Sequence, residues 1–166
     1  MKFMHAKRIN NWLSDSQLKS CLKKQDILEW LNEEGSITAK ISSDSKFKLE
    51  ILSDDLGMAE DEEYLALNIP SQKVRIREVI LYGDLAPLVF ARSIIPNQTS
   101  SKGYPRLGTI GSKPLGDLLF QSELFIKTHR EFAQFQTPDK EIVWGRRTHY
   151  LVRGYPLSVM EVFLSP

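Results

Sequence analysis

Two charged residues stand where an apolar strand pattern has no room for them. In Val74-Arg75-Ile76-Arg77-Glu78-Val79-Ile80-Leu81, alternation puts Arg75, Arg77, Val79 and Leu81 on one face. Val74, Ile76, Glu78 and Ile80 take the other face, so both faces are partly apolar and at least one charge points into covered space. The segment from Leu157 to Leu164 is the sharper case. Glu161 shares a face with Leu157, Val159 and Phe163, and its other-face neighbours are also apolar. A carboxylate in that setting must be paired or protonated, because desolvation disfavours the charged form. A buried guanidinium needs an anion for the same reason. Two readings are open. Arg77 and Glu161 are structural partners on neighbouring strands, or they line a pocket where the arginine clamps a ligand carboxylate and the glutamate meets a hydroxyl.

Other candidates carry less chemistry. Gly108-Thr109-Ile110-Gly111 has neither the lysine of a phosphate loop nor a preceding strand, which argues against nucleotide binding. His5, His129 and His149 are scattered without ligand spacing, so no metal is expected. Cys21, the single cysteine, reads as a packing residue rather than a nucleophile. Trp144-Gly145-Arg146-Arg147 could serve an anionic ligand or a sheet edge, and the structural role is favoured.

The elements that must position these residues follow from periodicity. The first forty residues read as helical: Leu18, Cys21 and Leu22 form a short amphipathic turn, and Asp26 caps 27–31. Gly35 stops that helix and Ser36 caps another over 37–41. Phe47, Leu49 and Ile51 alternate as a strand, and the acidic run 59–63 reads as a solvated loop. A hairpin is expected over 74–82 and 88–95, turning at Gly83-Asp84 and ending at Pro96. Residues 97–114 form a long irregular connection of the kind that is usually functional or mobile. Pro114 then suits a first helical turn, with Leu118, Leu119 and Phe120 anchoring the helix. A strand at 124–132 and a hairpin of 147–152 and 157–164 around Arg153-Gly154 complete the chain. Helices followed by adjacent hairpins predict a single α+β domain over 1–166, an antiparallel sheet of about six strands with helices packed on it.

Composition sets outer bounds. The 166 residues are 42% hydrophobic and 26% charged, which is ordinary globular composition and excludes a disordered chain. A net charge of +1 leaves no electrostatic footprint for nucleic acid. One cysteine cannot form an internal disulfide. No apolar run approaches the roughly 20 residues needed to span a bilayer, and the opening residues lack a signal-peptide core. A cytosolic protein, expected to be a monomer, is the result.

The segments that break the pattern also carry a resemblance. Arg77-Glu78-Val79-Ile80-Leu81, Phe90 to Pro96, Lys113-Pro114-Leu115-Gly116 with Leu119-Phe120, Trp144 to Arg147, and Leu157 to Leu164 are each weak alone. In this order and spacing the chain resembles the bacterial chorismate pyruvate-lyase family from about Trp30 to Leu164. The resemblance implies an antiparallel sheet with its ligand buried under two helical flaps, and no metal or organic cofactor. It implies that Arg77 binds the ring carboxylate of chorismate and Glu161 the 4-hydroxyl. Leu115 would contribute its backbone at the second flap and Ile37 the contact at the first, where the family often has methionine. The implied products are 4-hydroxybenzoate and pyruvate, a first step of quinone ring supply. Glu161 would act either as a base or by orienting an internal hydrogen transfer. The competing resemblance is to the ligand domain of bacterial transcription regulators, a non-catalytic effector-binding domain.

Overall fold

The structure, a computed structural model, describes residues 6–164, so His5 lies outside it. One antiparallel sheet has the strand order β1-β5-β6-β7-β4-β3-β2. Its strands are β1 (Lys7–Arg8), β2 (Phe47–Met58), β3 (Lys73–Gly83), β4 (Ala86–Pro96), β5 (Phe125–Gln136), β6 (Ile142–Val152) and β7 (Tyr155–Phe163). Seven strands thus replace the six expected. The extra one lies in the stretch read as helical, where Lys7 and Arg8 pair with Gln136 and Phe135. The two hairpins expected from the sequence, β3–β4 and β6–β7, turn through two residues of positive φ, the geometry that matches strand twist. The second turn is Arg153-Gly154 as expected; the first is Asp84-Leu85, one residue later than expected, fixed by the Asp84 carboxylate accepting the Lys46 N–H at 2.8 Å.

Helices α1 (Asp15–Cys21), α2 (Gln25–Leu31), α3 (Ile37–Ser42) and α5 (Leu115–Gln121) cover one face of the sheet. Ile27, Leu31, Ile37 and Ile41 pack there against Val79, Leu81, Ala91 and Phe163. Helix α2 begins one residue before Asp26, with Lys24 at the cap, so Asp26 stands in the first turn instead. Pro114 is likewise the cap residue of α5 rather than its first turn. Cys21 is exposed and does not pack. Residues 97–114 are not featureless: a π-helical turn (Thr99–Gly103) and a 3-10 turn (Pro105–Thr109) bury Thr99 and Leu107.

Two bulges decide which charges reach that face. The β2–β3 register skips Leu52, so Leu49 and Asp54, an odd number of residues apart, both lie on the face of Leu81 and Arg77. The β5–β6 register skips Thr128, so Lys127 and Arg130 likewise share a face, opposite Tyr150 and Thr148. Gly145 of β6 has no room for a side chain. A Cβ there would come within 2.8 Å of the Glu161 carbonyl oxygen and 2.6 Å of the Phe135 ring.

The other face carries α4 (Asp61–Leu67) and an ion-pair network. The acidic run expected to be a loop is the start of this helix, because Glu60 and Glu63 form a reciprocal capping box. Glu62 then binds the Arg147 guanidinium at 2.6 and 2.8 Å, and Glu63 binds Arg92 at 2.7 and 2.8 Å. His129 and His149 are not scattered: they are cross-strand partners whose rings stack at 4.1 Å. With Glu131 they bring three ligating atoms within 4.8 Å. Arg147 Nε already donates to Glu131 Oε2 at 3.0 Å and His149 Nε2 lies 2.5 Å from the same oxygen, so the group is an ion-pair cluster rather than an open cation site.

That cluster has a pH signature. Burial alone would raise the Glu131 carboxyl, but hydrogen bonds with His149 and Arg147 hold it down at about 2. Because the folded value lies below the ordinary 4.5, the stabilisation is full above pH 4.5 and fades as pH falls toward about 2. At pH 7, Glu131→Gln is expected to cost about 1–3 kcal/mol, the lower half if solvent screens the partly open pair. Urea unfolding at pH 7 and pH 3 checks it: the gap between variant and parent should narrow at pH 3. A gap independent of pH would contradict the assignment.

Candidate active site

Arg77 and Glu161 are not each other's counter-ions. The Arg77 side chain is 2% exposed, and its Nη1 donates to Asp54 Oδ2 at 2.9 Å. Nη1 also donates to the Gly111 carbonyl at 2.8 Å and Nη2 to that of Lys113 at 2.9 Å. One guanidinium therefore ties the segment before α5 down onto β3. Asp54 is shared: Arg75 grips it through Nε at 2.6 Å and Nη2 at 2.7 Å, and donates through Nη1 to the Leu107 carbonyl. The Arg75 hydrogen bond is the largest influence on Asp54 and, with Arg77, holds its carboxyl below the usual range against the opposing effect of burial. Two guanidiniums thus face one carboxylate, leaving one positive charge for an anionic ligand.

Glu161 is held by Arg146, its cross-strand partner, whose Nε donates to Oε1 at 2.9 Å. The same guanidinium donates through Nη1 to the carbonyls of Leu31 at 3.1 Å and Glu33 at 2.8 Å, at the C-terminal end of α2. Both arginines of the Trp144–Arg147 motif thus make structural contacts, Arg146 to Glu161 and the end of α2 on the pocket face and Arg147 to the ion pairs on the opposite face. Sequence reasoning missed Asp54 and Arg146 as the partners, because the choice of partner is made by register across strands. Alternation alone could have placed Arg146 on the face opposite to Arg147.

Two short helices close over these charges. Ile37 opens α3, whose cap Ser36 accepts the Ala39 N–H at 3.1 Å. The Ser36 hydroxyl in turn donates to Asp117 of α5 at 2.7 Å, joining the two lids. Leu115 is the first residue of α5 and is buried. The space beneath is divided into two chambers that meet at Ile37, Gly116, Val159 and Glu161. Ile37, Arg77, Leu115 and Glu161 all line the inner one, with Val79 and Ala91 as apolar floor. The outer one adds Lys127, Arg130, Arg146 and Tyr150. Burial, and then the nearby Glu161 carboxylate, raise the Tyr150 hydroxyl above its ordinary value, so it stays neutral. Open space for a water-sized sphere is about 40 Å³ in the inner chamber and about 190 Å³ in the outer. An aromatic ring therefore enters the inner chamber only if the lids move.

Comparison with known proteins places the chain in a family. The family profile for chorismate lyase matches residues 6–166. The chain is 37% identical over 162 residues to a protein named "Probable chorismate pyruvate-lyase 2" from Pseudomonas entomophila, covering 92% of this chain and 87% of that one. It is 36% identical, with the same coverage, to a "Probable chorismate pyruvate-lyase" from Pseudomonas putida. Among solved structures, a protein described as a possible transcriptional regulator from Bacillus subtilis superposes with a TM-score of 0.56 at 11% identity. That match covers 95% of this chain and 87% of the other, and at that identity it speaks for the fold alone. With a profile match across nearly its whole length, the chain belongs to the chorismate lyase family.

Proposed function

We propose that this chain converts chorismate to 4-hydroxybenzoate and pyruvate in the inner chamber. The observation that carries the reading is the charge layout: Arg77, which with Arg75 shares one carboxylate and so belongs to a trio of net positive charge, and the Glu161 carboxylate both line one small, lidded, apolar-floored space. Chorismate has matching groups, a ring carboxylate and a C4 hydroxyl at opposite ends of its ring. Arg77 binds the carboxylate and Glu161, aimed by Arg146, accepts the hydrogen bond from the hydroxyl. Ile37 and Leu115 close the two lids over the ring. C4 loses its hydrogen as a proton, the C3–oxygen bond breaks with its electron pair going to oxygen, and the enolpyruvyl group takes up a proton at its methylene carbon to depart as pyruvate, leaving an aromatic ring. Aromatisation makes the step downhill, so the protein's part is to fix the conformation and supply a dry, complementary field. The reaction would belong to the cytoplasm and to the supply of quinone rings, with the protein working as a monomer. No helix among the described residues is long and apolar enough to cross a membrane.

Purified protein treated with EDTA and dialysed is expected to form pyruvate and 4-hydroxybenzoate in equal amounts from chorismate. Activity that returns only on adding a divalent metal would reject the cofactor-free mechanism. Binding of chorismate without pyruvate release would favour the effector-binding alternative.

A further inference from the structure

The closed site holds cations that ring binding leaves unused. Arg77 lines only the inner chamber, Lys127 and Arg130 line only the outer, and Glu161 lines both. Arg146 is engaged by Glu161 and the end of α2. Arg130 is aimed by the Thr148 hydroxyl, which accepts from Nε at 2.7 Å, and by the Glu33 carbonyl at 3.2 Å from Nη1. Its charge and that of Lys127 converge on one carboxylate: Glu34 lies 2.7 Å from Lys127 Nζ and 3.5 Å from Arg130 Nη1. Yet the Glu34 side chain is 77% exposed and sits on the loop between α2 and α3, so it can leave into water at little cost. With Glu34 withdrawn, Lys127, Arg130 and Arg146 would face Glu161 alone.

Chorismate differs from its aromatic product by a second carboxylate, carried on the enolpyruvyl ether at C3, next to the C4 hydroxyl. If the ring carboxylate is at Arg77 and the hydroxyl at Glu161, the C3 substituent leaves the ring at the Glu161 end, toward the outer chamber. We propose that Lys127 and Arg130 form the subsite for this second carboxylate, and that Glu34 occupies it until the substrate displaces it; the inference rests on the lyase reading above. The subsite separates substrate from product by charge. Pyruvate carries the second carboxylate away, 4-hydroxybenzoate has nothing to offer Lys127, and Glu34 returns.

The test compares chorismate kinetics with equilibrium binding of 4-hydroxybenzoate in three proteins: parent, Lys127→Ala and Glu34→Gln. Both positions are open to solvent, so neither substitution opens a core cavity. Lys127→Ala is expected to raise KM for chorismate roughly five- to twentyfold, the loss of one charge-assisted contact, while Kd for 4-hydroxybenzoate stays within about twofold. Glu34→Gln is expected to lower KM about three- to tenfold, because a competing carboxylate is gone. If the Glu34–Lys127 pair only ties the lid loop to the sheet, the two substitutions will shift KM in the same direction, which would overturn the proposal. Equal weakening of substrate and product in Lys127→Ala would overturn it too. A parent protein that releases no pyruvate from chorismate would instead sink the lyase reading, and the subsite with it.

Discussion

Glu161→Gln is expected to reduce pyruvate release from chorismate by about 10²–10⁴-fold while leaving a folded protein that still binds 4-hydroxybenzoate. Glutamine keeps an oxygen able to accept the 4-hydroxyl, so product binding survives in part. It cannot carry the charge at the carbon that loses hydrogen. The stability cost is bounded by what Glu161 holds. Arg146 would lose one charge-assisted bond, worth roughly 1.5–3 kcal/mol, but would keep the Leu31 and Glu33 carbonyls. One melting curve and one chorismate assay on the same preparation decide the matter. A destabilised protein with normal activity per folded molecule would make Glu161 a structural charge.

Arg77→Ala is expected to lower kcat/KM for chorismate at least about tenfold and to weaken 4-hydroxybenzoate binding in proportion, since both ligands carry the ring carboxylate. The effect should exceed a simple lost contact, because Arg77 also holds the Gly111 and Lys113 carbonyls ahead of α5. Asp54 keeps both Arg75 bonds, so the remaining carboxylate is not stranded. Arg77→Lys is the companion variant should the alanine protein fold poorly. A point charge replaces the fork that reaches ligand and carbonyls together, so little activity should return. Near-normal kinetics in either variant would remove Arg77 from the ligand.

The hairpins and the two misplaced charges were legible because they are local. Alternation in Val74–Leu81 and Leu157–Leu164 needs only a strand to be meaningful, and Gly154 marks its turn. Helix α4 was hidden because acidic residues favour both a solvated loop and the first turn of a helix, and the capping box resolves the two only once Glu60 and Glu63 are seen to bond each other. β2 was legible only to Ile51, where the Leu52 bulge breaks the alternation that would have extended it. Partners such as Asp54 for Arg77, Arg146 for Glu161, and His149 for Glu131 are chosen by register between strands, which no single segment contains.

The Thr128 bulge also bears on how such a protein can change over generations. In a regular strand, losing one residue turns everything on one side of the loss to the other face of the sheet. Here a single in-frame codon deletion at Thr128 would remove only the unpaired residue, leaving Lys127 opposite Tyr150 and Arg130 opposite Thr148 in a regular ladder. Both cations would stay on the face of the outer chamber. The same deletion one residue further along, within the paired stretch, would have no spare residue to absorb it. Among related sequences, an alignment gap at this point of β5 would then be neutral variation in length rather than a change of chemistry.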